Sequence, residues 1–382
     1  MSTWNSAAQR VVSILDAVSQ PAAPYYERYV KAAILDILAP LNEDPRVRIS
    51  GDRYGNLIAC YRHPDARFDA SLAAAAHMDH PGFHITAVEG ATATASIQGG
   101  LPRDERLPGS AMQLFCGDRR NHGVIREFTS DDRDTVTVDL DEPWEFNENG
   151  GYLQARDHGW AVPDVERFRE DGALIHGRAM DDLAGCAMQI AALEIIVQEG
   201  LPVEFTAVFN RAEEVGFIGA VGACELGSIP VRAIVLCLEA SKNLEGARPG
   251  DGIIIRTGDR QALFDTAVTE QLDRAAESAA AQGIRAQKRR MDGGTCEAAL
   301  YMAYGYETGA LAVPLINYHN QGESAVAAEA IHRDDLVGGV VMLVETARRI
   351  IEEERTPRAL FREQRKAWFY RKAGPFLSAE GK

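Results

Sequence analysis

The sequence predicts an α/β protein: a mostly parallel-stranded mixed sheet covered by helices, with an inserted small all-β domain. Three observations lead there. Residues 52–84 and 176–354 alternate strand-like apolar runs with helical periodicities. Runs such as LAAAAH (72–77) and AIVLCLE (233–239) are continuously apolar, as strands covered on both faces are. Between about 85 and 175 the texture changes to alternating or β-branched stretches (TATASIQ, AMQLFC, HGVIREF, TVTVDL) separated by Gly, Pro and Asp. The chain's 382 residues exceed what one simple core holds. The expected organisation is an α/β domain of residues 1–84 and 176–382, interrupted by a β insertion of residues 85–175.

In chain order, residues 7–18 and 26–40 carry helical periodicity, the second with Tyr25, Val30, Ala33, Ile34 and Ile37 near one stripe. DRYGNLIACY (52–61) reads as a strand opened by a turn at Gly55–Asn56. LAAAAH follows as a buried strand. Beyond the β region, ALIHGRA (173–179) is a strand and DLAGCAMQIAALEIIVQEG (182–200) a helix stopped at Gly200. EFTAVFN, AIVLCLE and GDGIIIRTG are strands, FDTAVTEQLDRAAESAAAQG a helix, GALAVPLIN a strand, and 333–354 a final long helix. The basic, aromatic tail at 356–372 reads as a docked terminal segment.

Forty basic residues against fifty-six acidic give a net charge of −16. Nucleic acid and anionic membranes, which need a basic surface, are therefore not expected partners. No apolar segment reaches the roughly 20 residues of a membrane helix. The six cysteines are scattered without a CxxC pair, and the N-terminus lacks a signal pattern. The chain is expected to be cytoplasmic.

The chemistry lies where strands end. LAAAA runs into His77 and Asp79, and ALIHGRAM into Asp181 and Asp182. EFTAVFNRA leads to Glu213 and Glu214, AIVLCL to Glu239, and GALAVPLINY to His319. In open α/β sheets ligands bind beyond the carboxyl ends of the strands, so these acids and imidazoles share one edge. Two histidines among several carboxylates suit zinc, with cobalt or manganese in its place. The surplus of carboxylates suits two ions, since one carboxylate can bridge a pair about 3.5–4 Å apart.

On these motifs the sequence resembles the co-catalytic di-metal aminopeptidases of the tetrahedral and glutamyl aminopeptidase type, relatives of the carboxypeptidase G-like and bacterial leucyl aminopeptidase families. The likeness runs from DRYGNLIA (52–59) through AAHMDHPGFHIT (75–86) to VPLINYHNQGE (313–323). GRAMDDLAGCA (177–187) and NRAEEVGFIGA (210–220) are its most specific pieces. The resemblance implies that His77 binds one metal, with Asp79 orienting its imidazole, and that Asp181 bridges both ions. It implies Glu214 and Glu239 as terminal ligands, His319 as the ligand completing the second site, and Glu213 as the general base acting on a bridging water. It also implies a cis peptide between Asp181 and Asp182, an insertion acting as lid and oligomerisation domain, and a homo-oligomer, up to a dodecamer.

The sequence departs from that pattern in places. Glu239 stands where near relatives have Asp, GGTDA reads GGTCEA around Cys296 and Glu297, and an RYIH-like segment reads NYHN. The expected activity is removal of neutral N-terminal residues from short peptides, with Arg178 and Arg256 leaving room for acidic ones. An amidohydrolase acting on small N-acyl substrates would use the same residues. A non-catalytic binding protein on this fold would have no need of Glu213. Taken singly, His80 and His84 read as polar core residues, as do the other five histidines, and Asp182 as a helix N-terminal acid.

Overall fold

A computed structural model describes residues 3–144, 159–352 and 364–373. His158 and the start of the basic tail, 356–363, lie outside the described residues.

The strands are β1 (Val47–Gly51), β2 (Leu57–Arg62), β3 (Ser71–His77), β4 (Gly82–Glu89), β5 (Thr92–Gln98), β6 (Ala111–Cys116), β7 (Arg119–Phe128), β8 (Thr135–Leu140) and β9 (Trp160–Pro163). There follow β10 (Phe168–Asp171), β11 (Leu174–Gly177), β12 (Glu204–Asn210), β13 (Ile234–Lys242), β14 (Ile253–Arg256), β15 (Ala286–Arg289), β16 (Glu307–Leu315) and β17 (Glu329–His332). The helices are α1 (Thr3–Val18), α2 (Arg28–Leu38), α3 (Met180–Glu199), α4 (Ile218–Glu225), α5 (Thr266–Ala280), α6 (Glu297–Ala303) and α7 (Arg333–Glu352).

One eight-stranded sheet runs β1-β2-β12-β3-β13-β16-β14-β15. Its four central strands, β12, β3, β13 and β16, are mutually parallel, while β2 and β14 join them antiparallel. Every residue of β3 is buried, because the sheet is covered on both faces. Ala74 and Ala76 face the large core that includes α3, and Ala73 and Ala75 face a second core with Ala220, Ala223 and Tyr301. Alanine on both faces lets the layers pack close. Helix α3 is apolar nearly all round and buried along most of its length, as a helix inside a large domain must be. It stops at Gly200, whose left-handed backbone turns its N–H back to the carbonyl oxygens of Ile196 and Val197.

Between β3 and β10 the chain forms a closed barrel, β4-β5-β8-β7-β6-β9. Alternate residues of β5 point inward, and Phe83, Ile97, Met112, Leu114 and Val136 fill the interior. Closure leaves this small domain no free edge. At its seam with the sheet domain Trp160 stacks on Phe115 and Tyr26, and the Tyr26 hydroxyl meets His84 Nδ1 at 2.9 Å. Strands β10, β11 and β17 make a small antiparallel sheet. β15, β17 and the barrel's closing strand β9 are four residues each, too short to stand out as periodic runs in the sequence.

Candidate active site

Parallel pairing sets the site. β12 and β3 end level, Asn210 opposite His77. β13 pairs with β3 up to Cys237 opposite Ala75, so Glu239, two residues on, lies level with His77. Asp181 opens α3 just past β11, and His319 sits in a turn beyond β16. The Asp181–Asp182 peptide is cis.

Asp181 lies between the two imidazoles. Its Oδ1 is 3.5 Å from His77 Nε2, and its Oδ2 is 3.6 Å from His319 Nε2. Glu214 Oε1 is 3.2 Å from His319 Nε2, and Glu213 Oε2 is 4.0 Å from His77 Nε2. Ligand atoms of His77, Asp181 and Glu214 all fall within 4.8 Å of one another. Glu239 is not in that set. It groups with Cys237 and Cys296, and Cys237 Sγ is 3.6 Å from its Oε1.

Backbone contacts fix the loop after β12. The N–H of Arg211 is received by Asn56 Oδ1 at 3.1 Å and that of Ala212 by Glu27 Oε1 at 3.0 Å. The N–H groups of Glu213 and Glu214 are received by the two oxygens of Asp79, at 2.9 and 3.2 Å. Asp79 reaches His77 mainly through its own carbonyl oxygen, 3.0 Å from Nδ1, its carboxylate standing 3.7 Å off. It therefore steadies the imidazole with its backbone and the two glutamates with its side chain. On the other side Glu329 receives the N–H groups of both Asp181 and His319. His80 spans from the Asp181 carbonyl oxygen to Asn320 Oδ1, a supporting contact. Glu27, Asn56, Glu329 and Asn320 are absent from the sequence-based set. Each reads as an ordinary polar residue beside an apolar run, and only their burial in the fold reveals the contacts.

The electrostatics is that of an acid-rich pocket. Burial disfavours charge on His77, but Glu213, Asp181 and Asp79 outweigh it and hold its pKa well above the usual value. Glu214 and Asp181 do the same for His319 against the same burial. Burial, then repulsion from Glu214 and Glu239, pushes Glu213 well up. Glu239 is pushed to about 7 by burial and then by Asp181, and Asp79 to about 7 chiefly by burial. Asp181 moves the other way: burial would raise it, but His319 and His77 hold it below the carboxylate range. Asp181 Oδ1 and Glu214 Oε1 are buried without a hydrogen-bond donor. Orphaned carboxylate oxygens facing two imidazole nitrogens are the donor set of a divalent-metal centre, and the residues present fit one.

Matching the sequence to family models places residues 55–338 in M42 glutamyl aminopeptidase. The chain belongs to the M42 glutamyl aminopeptidase family. It is a metal-dependent aminopeptidase. Solved structures share the M42 fold. The TET aminopeptidase from the marine sediment archaeon Thaumarchaeota archaeon SCGC AB-539-E09 is 18% identical with TM-score 0.74, covering 92% of this chain and 99% of its own. The aminopeptidase APDkam598 from Desulfurococcus kamchatkensis is 22% identical with TM-score 0.73, covering 92% and 97%. The TET1 peptidase of Pyrococcus horikoshii is 22% identical with TM-score 0.69, covering 88% and 98%. No curated protein sequence matches at a comparable level.

Beside these residues of the M42 aminopeptidase lies a cavity of about 120 Å³ lined by Glu239, Ser241, Arg256, Met291, Cys296 and Tyr318, among others. Tyr318 stacks on the His319 ring at 3.7 Å between centroids. Arg256 is only 4% exposed, touches Ser241 Oγ at 3.3 Å, and its Nε has no partner. Arg178 serves elsewhere, donating to the carbonyl oxygens of Pro163 and Val165 after the barrel's last strand. Among the described residues no helix is long and apolar enough to cross a membrane.

Proposed function

We propose that the aminopeptidase centre holds two divalent ions, zinc in the first instance with cobalt or manganese as substitutes. His77 and Glu239 would hold one, Glu214 and His319 the other, and Asp181 both. The observation that carries this reading is Asp181, whose two oxygens each face a different imidazole. Bound there, the ions would supply Lewis-acid activation of water and of the scissile carbonyl. Glu213 is the general base: it takes the proton of the attacking water and returns it to the leaving amine. Asp79 and Glu27 hold the loop that aims it.

The pocket argues for a side-chain preference different from the neutral one expected from the sequence. Arg256, a buried guanidinium whose charge Glu239 and Asp259 already favour, lines the cavity and is the cation that an acidic guest would meet there. We read this cavity as the seat of the N-terminal side chain and acidic side chains as its preferred guests, in keeping with the glutamyl name of the family. The insertion would act as lid and oligomer contact. The P. horikoshii relative is described as a dodecamer and as a tetrahedron or octahedral shell, which supports a homo-oligomer here. The six cysteines form no disulfide among the described residues, in keeping with a reducing compartment such as the cytoplasm.

The experiment is turnover of matched peptides by metal-loaded protein, with Glu213→Gln and Arg256→Met alongside. Free N-termini should be cleaved and N-acetylated ones resist. Glu213→Gln should lose about 100-fold or more in kcat, and Arg256→Met should lose the advantage of N-terminal Glu over Leu. Faster release of the acetyl group would favour the amidohydrolase reading. Sedimentation as a 41.7 kDa monomer alone would count against the oligomer.

A further inference from the structure

Asp181 and His319 lie far apart in the chain, yet one side chain fastens both. Glu329, at the start of β17, is fully buried. Its Oε1 accepts the N–H of His319 at 2.8 Å, and its Oε2 accepts the N–H of Asp181 at 3.0 Å. The ligand atoms these residues offer, His319 Nε2 and Asp181 Oδ2, stand 3.6 Å apart.

The turn carrying His319 needs such an anchor. Asn317, His319 and Asn320 have φ of +56°, +55° and +57°, a left-handed backbone that side chains rarely adopt. Such conformations persist only where the surroundings enforce them. Asn320 is tied by its side chain to the carbonyl oxygens of Arg178 and Ala327. The N–H of His319 itself ends on Glu329. β17 pairs with β11, Glu329 opposite Gly177, so the strand bearing Glu329 is also laced to the segment leading into Asp181. Both hydrogen-bond partners of Glu329 are backbone N–H groups, one from each of the two residues.

We propose that Glu329 is a positioning residue for one ion of the pair, the ion between Asp181 and His319. It holds two of that ion's ligands at their spacing, while the ion between His77 and Glu239 shares only Asp181 with it and depends on it less. The inference rests on the two-ion reading of the site.

The test is Zn²⁺ affinity and stoichiometry, by competition with a chromophoric chelator, for wild type, Glu329→Gln and Glu329→Ala. Glutamine keeps the size and one acceptor but turns an NH₂ toward the second N–H. One ion should bind about 10–100-fold more weakly in Glu329→Gln, as loss of a supporting partner does, and the other, which shares only Asp181, should lose less. Because His319→Ala removes the same ion, adding Glu329→Gln to it should weaken the remaining ion by less than about 10-fold. Turnover of Glu329→Gln should recover as free Zn²⁺ is raised. Two ions at wild-type affinity in Glu329→Gln would overturn the inference and leave the two-ion reading intact. Equal weakening of both ions together with a lowered thermal midpoint would reduce Glu329 to a structural role. A single ion in wild type would instead defeat the two-ion reading. Should Glu329→Ala prove insoluble, Glu329→Gln decides alone.

Discussion

The Asp79 carboxylate accepts the backbone N–H of Glu213 at 2.9 Å, so the residue two past His77 fixes the proposed general base. Its second oxygen takes the N–H of Glu214. An asparagine there can accept only one of the two and turns donor hydrogens toward the other. Asp79→Asn is expected to keep its ions and lose about 10–100-fold in kcat, the usual cost of an outer supporting partner. Steady-state kinetics beside measured metal content checks this, and unchanged kcat would remove Asp79 from the account.

The loop between β5 and β6 of the barrel meets the proposed metal site at Gly100, against His319. A methyl group on this residue would overlap the His319 imidazole, and one on Gly99 would press on Glu214. Gly100→Ala should therefore displace His319 or lift the barrel loop, weakening one ion while the sheet domain stays folded. Metal titration together with far-UV circular dichroism reads both. Wild-type affinity in this variant would show that the loop yields without cost.

A pH dependence follows from Glu297. It is 1% exposed, and burial, with added repulsion from Glu239 and Asp79, pushes its pKa from 4.5 to about 8. The folded chain thus keeps a proton that the unfolded chain has released. Its contribution to stability is fully present below about pH 4.5 and is lost as pH rises toward 8. Glu297→Gln should gain thermal midpoint over wild type at pH 8 and not at pH 4.5, measured in chelator so that no ion offsets the repulsion. An equal difference at both values would contradict the raised pKa.

Much of this was legible in the sequence, for physical reasons. The buried parallel strands announced themselves because covering both faces demands continuous apolar runs, as in β3 and β13. The proposed metal ligands stood out because such strands end in acids and imidazoles at one edge. What stayed hidden has no local signature. Glu27 and Glu329 look like solvated acids until the fold buries them against backbone N–H groups of distant loops. Arg256 could not be judged, since only the cavity shows that its Nε lacks a partner. The second contact of Asp79, to the glutamates rather than to the imidazole, likewise depends on how two strand ends meet.

The central claim is that Asp181 is shared between two ions, and metal stoichiometry tests it most directly. Wild type and Asp181→Ala would be stripped with chelator, reloaded at micromolar free Zn²⁺, and assayed for bound metal by mass spectrometry. The account predicts two ions per chain in wild type and at most one, weakly held, in Asp181→Ala, since both ions lose an oxygen that faces their imidazole. Two ions held at wild-type affinity in Asp181→Ala would contradict it.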